Sequence, residues 1–299
     1  MRRVRRKQVA VLLCALAGLC PCAFGLNPSL DVSQYAHTSW TLREGFFKGW
    51  ITAMAQTADG YLWLGTETGL LRFDGVRPAS WTPPGSERLP SPSILRLLAG
   101  RDGTLWIGTG AGLVSWHGSQ LTHYPQLDGQ AVASILEDRD GTVWAGGVPR
   151  LGTGRLCTIR AGKGECFGQD GSLGRGVLCL YEDRKGNLWA GAFSGLWLWK
   201  PRPPKRYPMP ETISDLIESN EGELLMLMPG GVRRLESGKA RPYPMGGPSI
   251  PRTALNDRDG GLWIGTPGQG LLHVPWPDRR VFAHGWPFRR RSLPSFRGS

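Results

Sequence analysis

The sequence predicts an all-β fold, a β-propeller of four-stranded antiparallel blades with six blades visible. A short hairpin signature occurs six times in the 299 residues. Successive copies begin 36–45 residues apart, which is typical of propeller blades of about four strands. The copies read DGYLWLGT at 59–66, DGTLWIGT at 102–109, DGTVWAGG at 140–147, KGNLWAGA at 185–192, EGELLMLM at 221–228 and DGGLWIGT at 259–266.

Each part of the repeated unit predicts one element of a blade. An aliphatic run such as 51–57 predicts the first strand, and the Asp-Gly pair predicts a tight hairpin turn because glycine readily adopts a positive φ. The Leu-Trp-Ile run predicts the second strand, and a Gly-Leu turn leads into a third strand such as 71–74. The fourth strand often ends in an aromatic residue: Trp81, Tyr124, Tyr207 and Tyr243.

Glycine and tryptophan recur at fixed places in the unit. The glycines at 65, 108, 146, 191 and 265 predict close approach of neighbouring backbones. An isolated blade would leave an apolar face in water, so we expect the repeated tryptophans to form the core between blades. Trp197 and Trp199 fall outside this register and are predicted to make surface aromatic contacts.

These residues resemble the repeat of the two-component regulator propeller family. The resemblance rests on Asp-Gly-x-Leu-Trp-Ile-Gly-Thr, the Gly-Leu turn and a short strand ending in Phe-Asp-Gly, and it covers about residues 35–284. The lead-in at 35–46 is also similar to the segment before the first repeat of that family. The resemblance implies the amino-terminal periplasmic sensor region of a bacterial hybrid histidine kinase or diguanylate cyclase. Such a region binds a small ligand, with a carbohydrate as one candidate, and passes that state through a membrane helix to an output domain.

The first 25 residues predict a signal peptide. Four arginines and a lysine precede an apolar stretch at 9–22, and Ala23-Phe24-Gly25 offers a small-residue cleavage pattern. An uncleaved anchor is the alternative, but the stretch is shorter than the roughly 20 apolar residues that span a bilayer. The sequence therefore predicts a periplasmic or secreted protein whose mature chain has no membrane span.

The basic composition does not predict a nucleic-acid partner. The formal net charge is +12, of which the first 25 residues carry five positive charges and residues 285–299 carry four. About +3 remains for residues 26–284, which is ordinary for a solvated surface.

The cysteines that follow the predicted leader are Cys157, Cys166 and Cys179. Cys157 and Cys166 flank a loop whose arms are close enough to bridge outside the cytoplasm. Three free buried thiols are the equal alternative.

Motif searches predict no catalytic residues, no cofactor-binding residues, no metal site and no enzymatic activity. The five histidines are scattered: His37, His117, His123, His273 and His284. The glycine-rich segment 108–112 lacks the ending of a phosphate-binding loop and follows a hairpin, so it predicts a turn. The acidic runs at 137–140 and 182–185 are interpreted as solvated turn acids rather than a calcium site.

The last 15 residues depart from the repeat. Residues 285–299 contain three consecutive arginines and two prolines without strand alternation, which predicts an irregular basic tail. A shifted reading frame from residue 285 can restore repeat-like words, which suggests a frameshift that truncated a longer sensor. A seven-bladed ring with one blade incomplete is then the alternative to a closed ring of six.

The sequence as a whole predicts three regions: a signal peptide at 1–25, propeller repeats at 26–284 and the tail at 285–299. The predicted function is a non-catalytic extracytoplasmic sensor that binds an unknown small ligand or a protein partner and lacks a membrane helix and output domain. A free-standing periplasmic scaffold or protein-binding propeller is the alternative, and a propeller enzyme ranks third. Ligand recognition is expected in loops, with 82–93, 149–155 and 245–252 as places to look.

Overall fold

Six antiparallel sheets follow one another along the chain and form a six-bladed β-propeller. The computed structural model describes residues 49–243, 250–267, 269–275, 282–285 and 289–292, the last two by their backbone alone. The all-β propeller fold predicted from the repeats is therefore confirmed. The predicted leader at 1–25 and most of the loop at 245–252 lie outside the described residues.

Within each blade the strands pair in chain order, from the first strand to the fourth. Blade 1 contains β1 Ile51–Gln56, β2 Leu62–Thr66, β3 Gly69–Phe73 and β4 Pro78–Trp81. Blade 2 contains β5 Ile94–Ala99, β6 Leu105–Thr109, β7 Gly112–His117 and β8 Gln120–Tyr124, and a short 3-10 helix follows at Pro125–Leu127. Blade 3 contains β9 Gln130–Glu137, β10 Val143–Pro149, β11 Arg155–Arg160 and β12 Lys163–Phe167.

The second half of the ring repeats this arrangement. Blade 4 contains β13 Val177–Glu182, β14 Leu188–Ala192, β15 Gly195–Lys200 and β16 Lys205–Tyr207. Blade 5 contains β17 Asp215–Glu218, β18 Leu224–Met228, β19 Gly231–Glu236 and β20 Lys239–Pro242. Blade 6 contains β21 Thr253–Asn256, β22 Leu262–Thr266, β23 Gly270–Val274, β24 Phe282–Gly285 and β25 Arg289–Ser292.

The Asp-Gly turns join the first and second strands as the sequence predicts. In blade 3, the Gly141 N–H donates to the Asp138 carbonyl at 3.0 Å, and Gly141 has a φ of 76°. An L-residue side chain rarely tolerates that conformation, so the turn selects glycine. The segment 108–112 also contains a turn, at 110–111 between β6 and β7.

The hydrophobic core lies between neighbouring blades. Trp63 and Leu70 of blade 1 pack against Ile94 of blade 2, and all three are buried. The same arrangement recurs at the next four junctions, where Trp106, Trp144, Trp189 and Leu225 each pack against the following blade. The predicted inter-blade role of the repeated tryptophans is confirmed at these positions.

The glycine two residues after each repeated tryptophan allows this close packing. A Cβ added at Gly65 would lie 2.6 Å from Cγ2 of Ile94 in the next blade. At Gly108 it would lie 3.0 Å from Cγ1 of Val132. These distances are shorter than van der Waals contact, so a larger residue would push the blades apart.

One segment of the expected irregular tail is a strand. β25 pairs antiparallel with β24 at the end of the sixth sheet away from β21. Sheet pairing uses backbone groups, so a run of arginines can extend a sheet at its edge. The remainder of 286–299 lies outside the described residues.

Candidate ligand-binding groove

The Asp-Gly turns and the turns between third and fourth strands lie at the same edge of each blade, because successive strands are antiparallel. The loops at 82–93 and 149–155, named from the sequence, connect strands at the opposite edge. Two cavities of about 640 and 690 Å³ lie at the Asp-Gly edge, one on each side of blade 3. Sequence reasoning did not point to this edge, since each cavity is assembled from two blades.

The turn acids at this edge are structural rather than solvated. Asp138 is buried and accepts hydrogen bonds from the N–H groups of Asp140 and Thr142, each at 3.0 Å. Its other oxygen accepts the indole N–H of Trp144 at 2.9 Å. The interpretation of these runs as solvated is therefore wrong for Asp138, because the carboxylate closes the turn and satisfies the buried tryptophan.

Blade 4 repeats this arrangement. Asp183 accepts the indole N–H of Trp189 at 2.9 Å and the side-chain amide of Asn187 at 2.8 Å. Burial opposes ionisation of Asp183, but these hydrogen bonds outweigh burial, so the pKa of its carboxyl lies below the ordinary value.

Arginines at the turn tips connect neighbouring blades. The Arg101 N–H donates to the Glu137 carboxylate at 2.9 Å, and its guanidinium donates to the Asp138 carbonyl of the same following blade. Arg139 makes the equivalent bonds, its N–H to Glu182 at 3.0 Å and its guanidinium to the Asp183 carbonyl at 2.8 Å. The first acid of each run therefore belongs to a contact between blades.

The cavity between blades 3 and 4, which we call the basic groove, has an apolar floor and a cationic rim. Its lining comprises Thr142, Trp144, Thr158, Arg160, Lys163, Gly164, Glu165, Trp199, Lys200, Pro201 and Arg202. Among the described residues, Arg160, Lys163 and Arg202 form no salt bridge within 4.0 Å, and Glu165 is the one carboxylate of the lining. The Arg202 guanidinium instead lies 4.8 Å from the centre of the Phe167 ring.

Lys200 is the cation of the rim that is already neutralised. Its ammonium bonds the exposed Asp140 carboxylate and lies 3.5 Å from Asp138. The hydrogen bond to Asp140 raises the pKa of Lys200, and the same bond lowers the pKa of Asp140. Both groups therefore stay charged near neutral pH, and the three remaining cations of the rim outnumber the one remaining carboxylate of the lining, that of Glu165.

Trp199 lines the basic groove and carries an unused donor that is buried. Its ring is buried beside Trp144 in the core between blades 3 and 4, so the expected surface contact is wrong for Trp199. The ring packs there because β15 faces blade 3. Its indole nitrogen is buried and has no hydrogen-bond partner. A buried donor without an acceptor is costly, which favours a ligand that supplies one.

The cavity between blades 2 and 3 has polar groups that already bond one another. The Tyr124 hydroxyl lies 2.9 Å from the Ser115 hydroxyl, and Thr104 Oγ1 lies 3.0 Å from His117 Nδ1. Burial raises the pKa of Tyr124, so this phenol remains protonated. These bonds leave this cavity less suited than the basic groove to a charged ligand.

A disulfide joins the two strands of blade 3 that border the basic groove, and its sulfurs lie on the other face of the sheet, in the core between blades 2 and 3. Cys157 in β11 and Cys166 in β12 lie directly opposite each other and are bonded, which decides between the two alternatives left by the sequence. Thr158 and Glu165, next to these cysteines, line the groove. Cys179 is buried as a free thiol, and burial raises its pKa.

Three histidines have described side chains: His117 and His273 are engaged in separate contacts, and His123 is exposed in β8. His117 bonds Thr104, whereas His273 stacks on Trp263 with ring centres 4.1 Å apart and bonds Asp257 at 2.8 Å. Within the described part of the chain, no group of three or more His, Cys, Asp or Glu side chains is placed to hold a metal ion. His37 and His284 lie outside the side chains that the structure describes.

The family model named "Two component regulator propeller" matches residues 45–68, 88–111, 126–148 and 171–194. The chain carries the repeat of the two-component regulator propeller family. Each of the four matches ends within two residues of the end of the second strand of its blade, in blades 1 to 4. The family recognised from the hairpin signature is therefore confirmed. No curated protein matches the sequence.

Solved structures share the fold of these two-component regulator propeller repeats. The extracellular domain of a putative hybrid two-component system from B. thetaiotaomicron aligns with a TM-score of 0.65 at 15% identity, covering 86% of this chain and 37% of that domain. Virginiamycin B lyase from Staphylococcus aureus aligns with a TM-score of 0.61 at 13% identity, covering 81% and 84%. PorZ, a surface component of the type-IX secretion system of Porphyromonas gingivalis, aligns with a TM-score of 0.54 at 17% identity, covering 73% and 37%.

These identities show the fold alone, and the chain spans little more than a third of the hybrid-system domain. The described residues include no helix that is long and apolar enough to cross a bilayer.

Proposed function

We propose that this chain is the non-catalytic, ligand-binding propeller of an extracytoplasmic two-component-type sensor, and that its basic groove binds a small acidic sugar. The matched repeats and the fold of the hybrid-system domain support the sensor class. The lining of the basic groove supports ligand binding, and the predicted signal peptide supports the extracytoplasmic location.

The observation that carries the ligand assignment is the combination of unpaired cations and an unused indole N–H around an apolar floor. Arg160 and Lys163 offer charge to a carboxylate or sulfate. The indole N–H of Trp199 is buried without an acceptor, so a ligand that displaces the side chains covering it would supply one. Charge-assisted hydrogen bonds of this kind contribute about 1.5–3 kcal/mol each, and the aromatic floor can pack against the carbon skeleton of a sugar.

A non-catalytic role is supported by the engagement of the candidate acids and bases. Asp138 accepts a tryptophan and two backbone donors, and Glu137 accepts from Arg101. A general acid or base needs freedom to exchange a proton with a substrate, which these bonded groups lack.

Titration calorimetry of the purified chain tests the groove. D-glucuronate is the probe, and D-glucose is the neutral comparison. We expect glucuronate to bind, glucose to bind more weakly, and affinity to fall with added salt because exposed cations are screened. The ligand assignment fails if the two sugars bind equally or if neither binds.

Matched lysine variants locate the site. Lys163 begins the fourth strand of blade 3, and Lys239 begins the fourth strand of blade 5. Lys163→Ala should weaken glucuronate binding about fivefold or more, which corresponds to roughly 1 kcal/mol, whereas Lys239→Ala should leave it unchanged. Equal effects of both substitutions would place binding elsewhere.

The Trp199→Phe variant tests the indole N–H separately from the aromatic floor of the groove. Phenylalanine keeps an aromatic ring and removes the N–H, so binding should weaken about tenfold with the fold retained. An unchanged affinity would remove Trp199 from the site while leaving the cations in place.

The proposed location has its own measurement. The full chain, expressed in a bacterial host, should appear in the periplasmic fraction with an amino terminus near residue 26 by mass spectrometry. Cytoplasmic protein that retains residues 1–25 would contradict the proposal.

A further inference from the structure

The tryptophan of the hairpin signature finds an acceptor for its indole N–H in the turn before it. In three blades this acceptor is the residue six positions earlier in the chain. Thr57 accepts from Trp63 at 3.0 Å, and Asp138 accepts from Trp144 at 2.9 Å. Asp183 does the same in blade 4. The repeat therefore pairs a buried tryptophan with a hydroxyl or a carboxylate of its own turn.

Blade 2 lacks this acceptor. Gly100 stands six positions before Trp106, and the Trp106 indole N–H has no acceptor among the described residues. A Cβ built on Gly100 would lie 3.3 Å from Trp106 Nε1, so the side chain that would reach this nitrogen is missing. Trp106 is 7% exposed, and its indole nitrogen is not sealed in the core as that of Trp199 is. A donor in this position favours a ligand that brings an acceptor.

Trp106 lines the cavity of about 690 Å³ between blades 2 and 3. Small-molecule sites in proteins have volumes of about 300–1,000 Å³. The buried side chains of Val143 and Ile159 contribute an apolar wall from blade 3. The cavity therefore combines an apolar surface for the body of a ligand with an open donor for its polar group.

Asp102 places an acceptor beside that donor. It lines the same cavity, and its Oδ1 would lie 2.9 Å from the Cβ built on Gly100. Burial opposes ionisation of Asp102, but hydrogen bonds from Thr104 outweigh burial, so the pKa of its carboxyl lies below the ordinary value. The Thr104 N–H donates to Oδ1 at 2.9 Å. The ionised carboxylate repels an anion and can accept a hydrogen bond from a ligand.

The other charged side chains of this lining are already paired. Among the described residues, Asp102 is the charged member of the lining that forms no salt bridge within 4.0 Å. The salt bridges of the others are Arg101–Glu137, Asp140–Lys200 and Arg139–Glu182. The open polar groups next to Gly100 are therefore one donor and one acceptor.

We propose that the cavity between blades 2 and 3 binds a neutral ligand through a primary amide, whose carbonyl oxygen accepts the Trp106 indole N–H and whose NH₂ group donates to Asp102. A primary amide carries an acceptor and two donors on one carbon, which matches the two groups beside Gly100. A carboxylate would be repelled by Asp102, and an ammonium would offer no acceptor to Trp106. The apolar wall holds the carbon skeleton of the ligand. This site is separate from the basic groove and does not depend on the ligand proposed there.

Three probes with the same ring and different polar groups test the site: benzamide, benzoate and benzylamine. Each is titrated into the nitrogen-15-labelled chain, and the indole N–H signal of Trp106, assigned by its loss in Trp106→Phe, is followed by NMR. Benzamide at millimolar concentrations should shift this signal and bind about tenfold more tightly than the two charged probes. The proposal is overturned if benzamide leaves the signal unmoved, or if benzoate or benzylamine binds as tightly as benzamide.

The Gly100→Thr variant copies the turn of blade 1 into blade 2. In blade 1, the Thr57 hydroxyl accepts from the tryptophan and donates to Asp59, which stands at the place of Asp102. The new threonine would therefore occupy both groups that the amide needs, in a turn that this chain already forms. Benzamide binding should weaken about tenfold or more, and the Trp106 signal should no longer respond. Wild-type affinity in this variant would overturn the proposal.

Matched acid variants test the second contact. Asp102→Ala removes the acceptor and should weaken benzamide binding about fivefold, whereas Asp59→Ala, at the same place in blade 1, should leave it unchanged. Near-ultraviolet circular dichroism checks that each variant keeps the fold. Lys163→Ala, in the basic groove, should also bind benzamide like the wild type. Equal effects of Asp102→Ala and Asp59→Ala would overturn the proposal.

Discussion

Replacing Asp138 with alanine should destabilise the propeller much more than replacing Asp140, the exposed acid of the same turn. The substitution removes the acceptor of three donors: the N–H groups of Asp140 and Thr142 and the indole N–H of Trp144. Asp138 is 1% exposed, so water cannot replace it without opening the turn. At about 1 kcal/mol for each lost hydrogen bond, the free energy of unfolding should fall by roughly 3 kcal/mol.

Urea unfolding followed by tryptophan fluorescence measures this loss, with Asp140→Ala as the control. Asp140 lies two residues away and is exposed, and its carboxylate bonds only Lys200 among the described residues, so its removal should cost much less. Asp183→Ala provides an independent repeat in blade 4, where the same three kinds of donor are lost. The reasoning is refuted if Asp138→Ala and Asp140→Ala have equal effects, or if Asp138→Ala costs less than about 1 kcal/mol.

Three further predictions concern packing, the cross-link and pH. Gly65→Ala should lower the free energy of unfolding by about 1–3 kcal/mol because its Cβ would meet Ile94. The control is Gly110→Ala, whose Cβ would lie 3.3 Å from its nearest neighbour and should cost less. Similar free energies of unfolding for the two variants in urea would contradict this account. Replacing both Cys157 and Cys166 with serine should cost about 2.5 kcal/mol through the greater entropy of the unfolded chain, and an unchanged urea midpoint would argue against a stabilising disulfide. Hydrogen bonds lower the pKa of Asp183 in the folded state despite its burial, so its carboxylate stabilises the fold above the unfolded pKa of about 4 and loses that contribution as pH falls through the folded pKa. The stability difference between wild type and Asp183→Asn should therefore be largest above about pH 5 and shrink below pH 4, and a difference independent of pH would show that the charge contributes nothing.

Local sequence predicts the blade well because each strand and turn depends mainly on its own residues. The Asp-Gly pair selects the positive φ of Gly141, and the alternation of a strand places Trp144 on one face of its sheet. Both features are encoded within about ten consecutive residues, so the repeat reveals them. The same reasoning correctly predicts that a glycine after the tryptophan allows the next blade to approach.

The sequence was less informative wherever a residue contacts a residue of another blade. It gave no sign that Glu137 accepts from Arg101, 36 residues earlier. The basic groove combines residues of β11 and β15 with two turns, and none of these segments carries a binding motif. Sequence analysis predicts a surface position for Trp199 because this residue falls outside the register of the repeated tryptophans. Nothing in the local sequence shows that blade 3 covers it.

The sequence by itself determined that this protein is a propeller of two-component regulator repeats, because a period near 40 residues and a glycine turn recur whatever surrounds them. Only the tertiary structure decided which acids are buried, which thiols are joined and which cations line a groove together with Trp199. The reason is physical: hydrogen bonding and side-chain alternation are local, whereas burial and charge pairing depend on which blade becomes the neighbour.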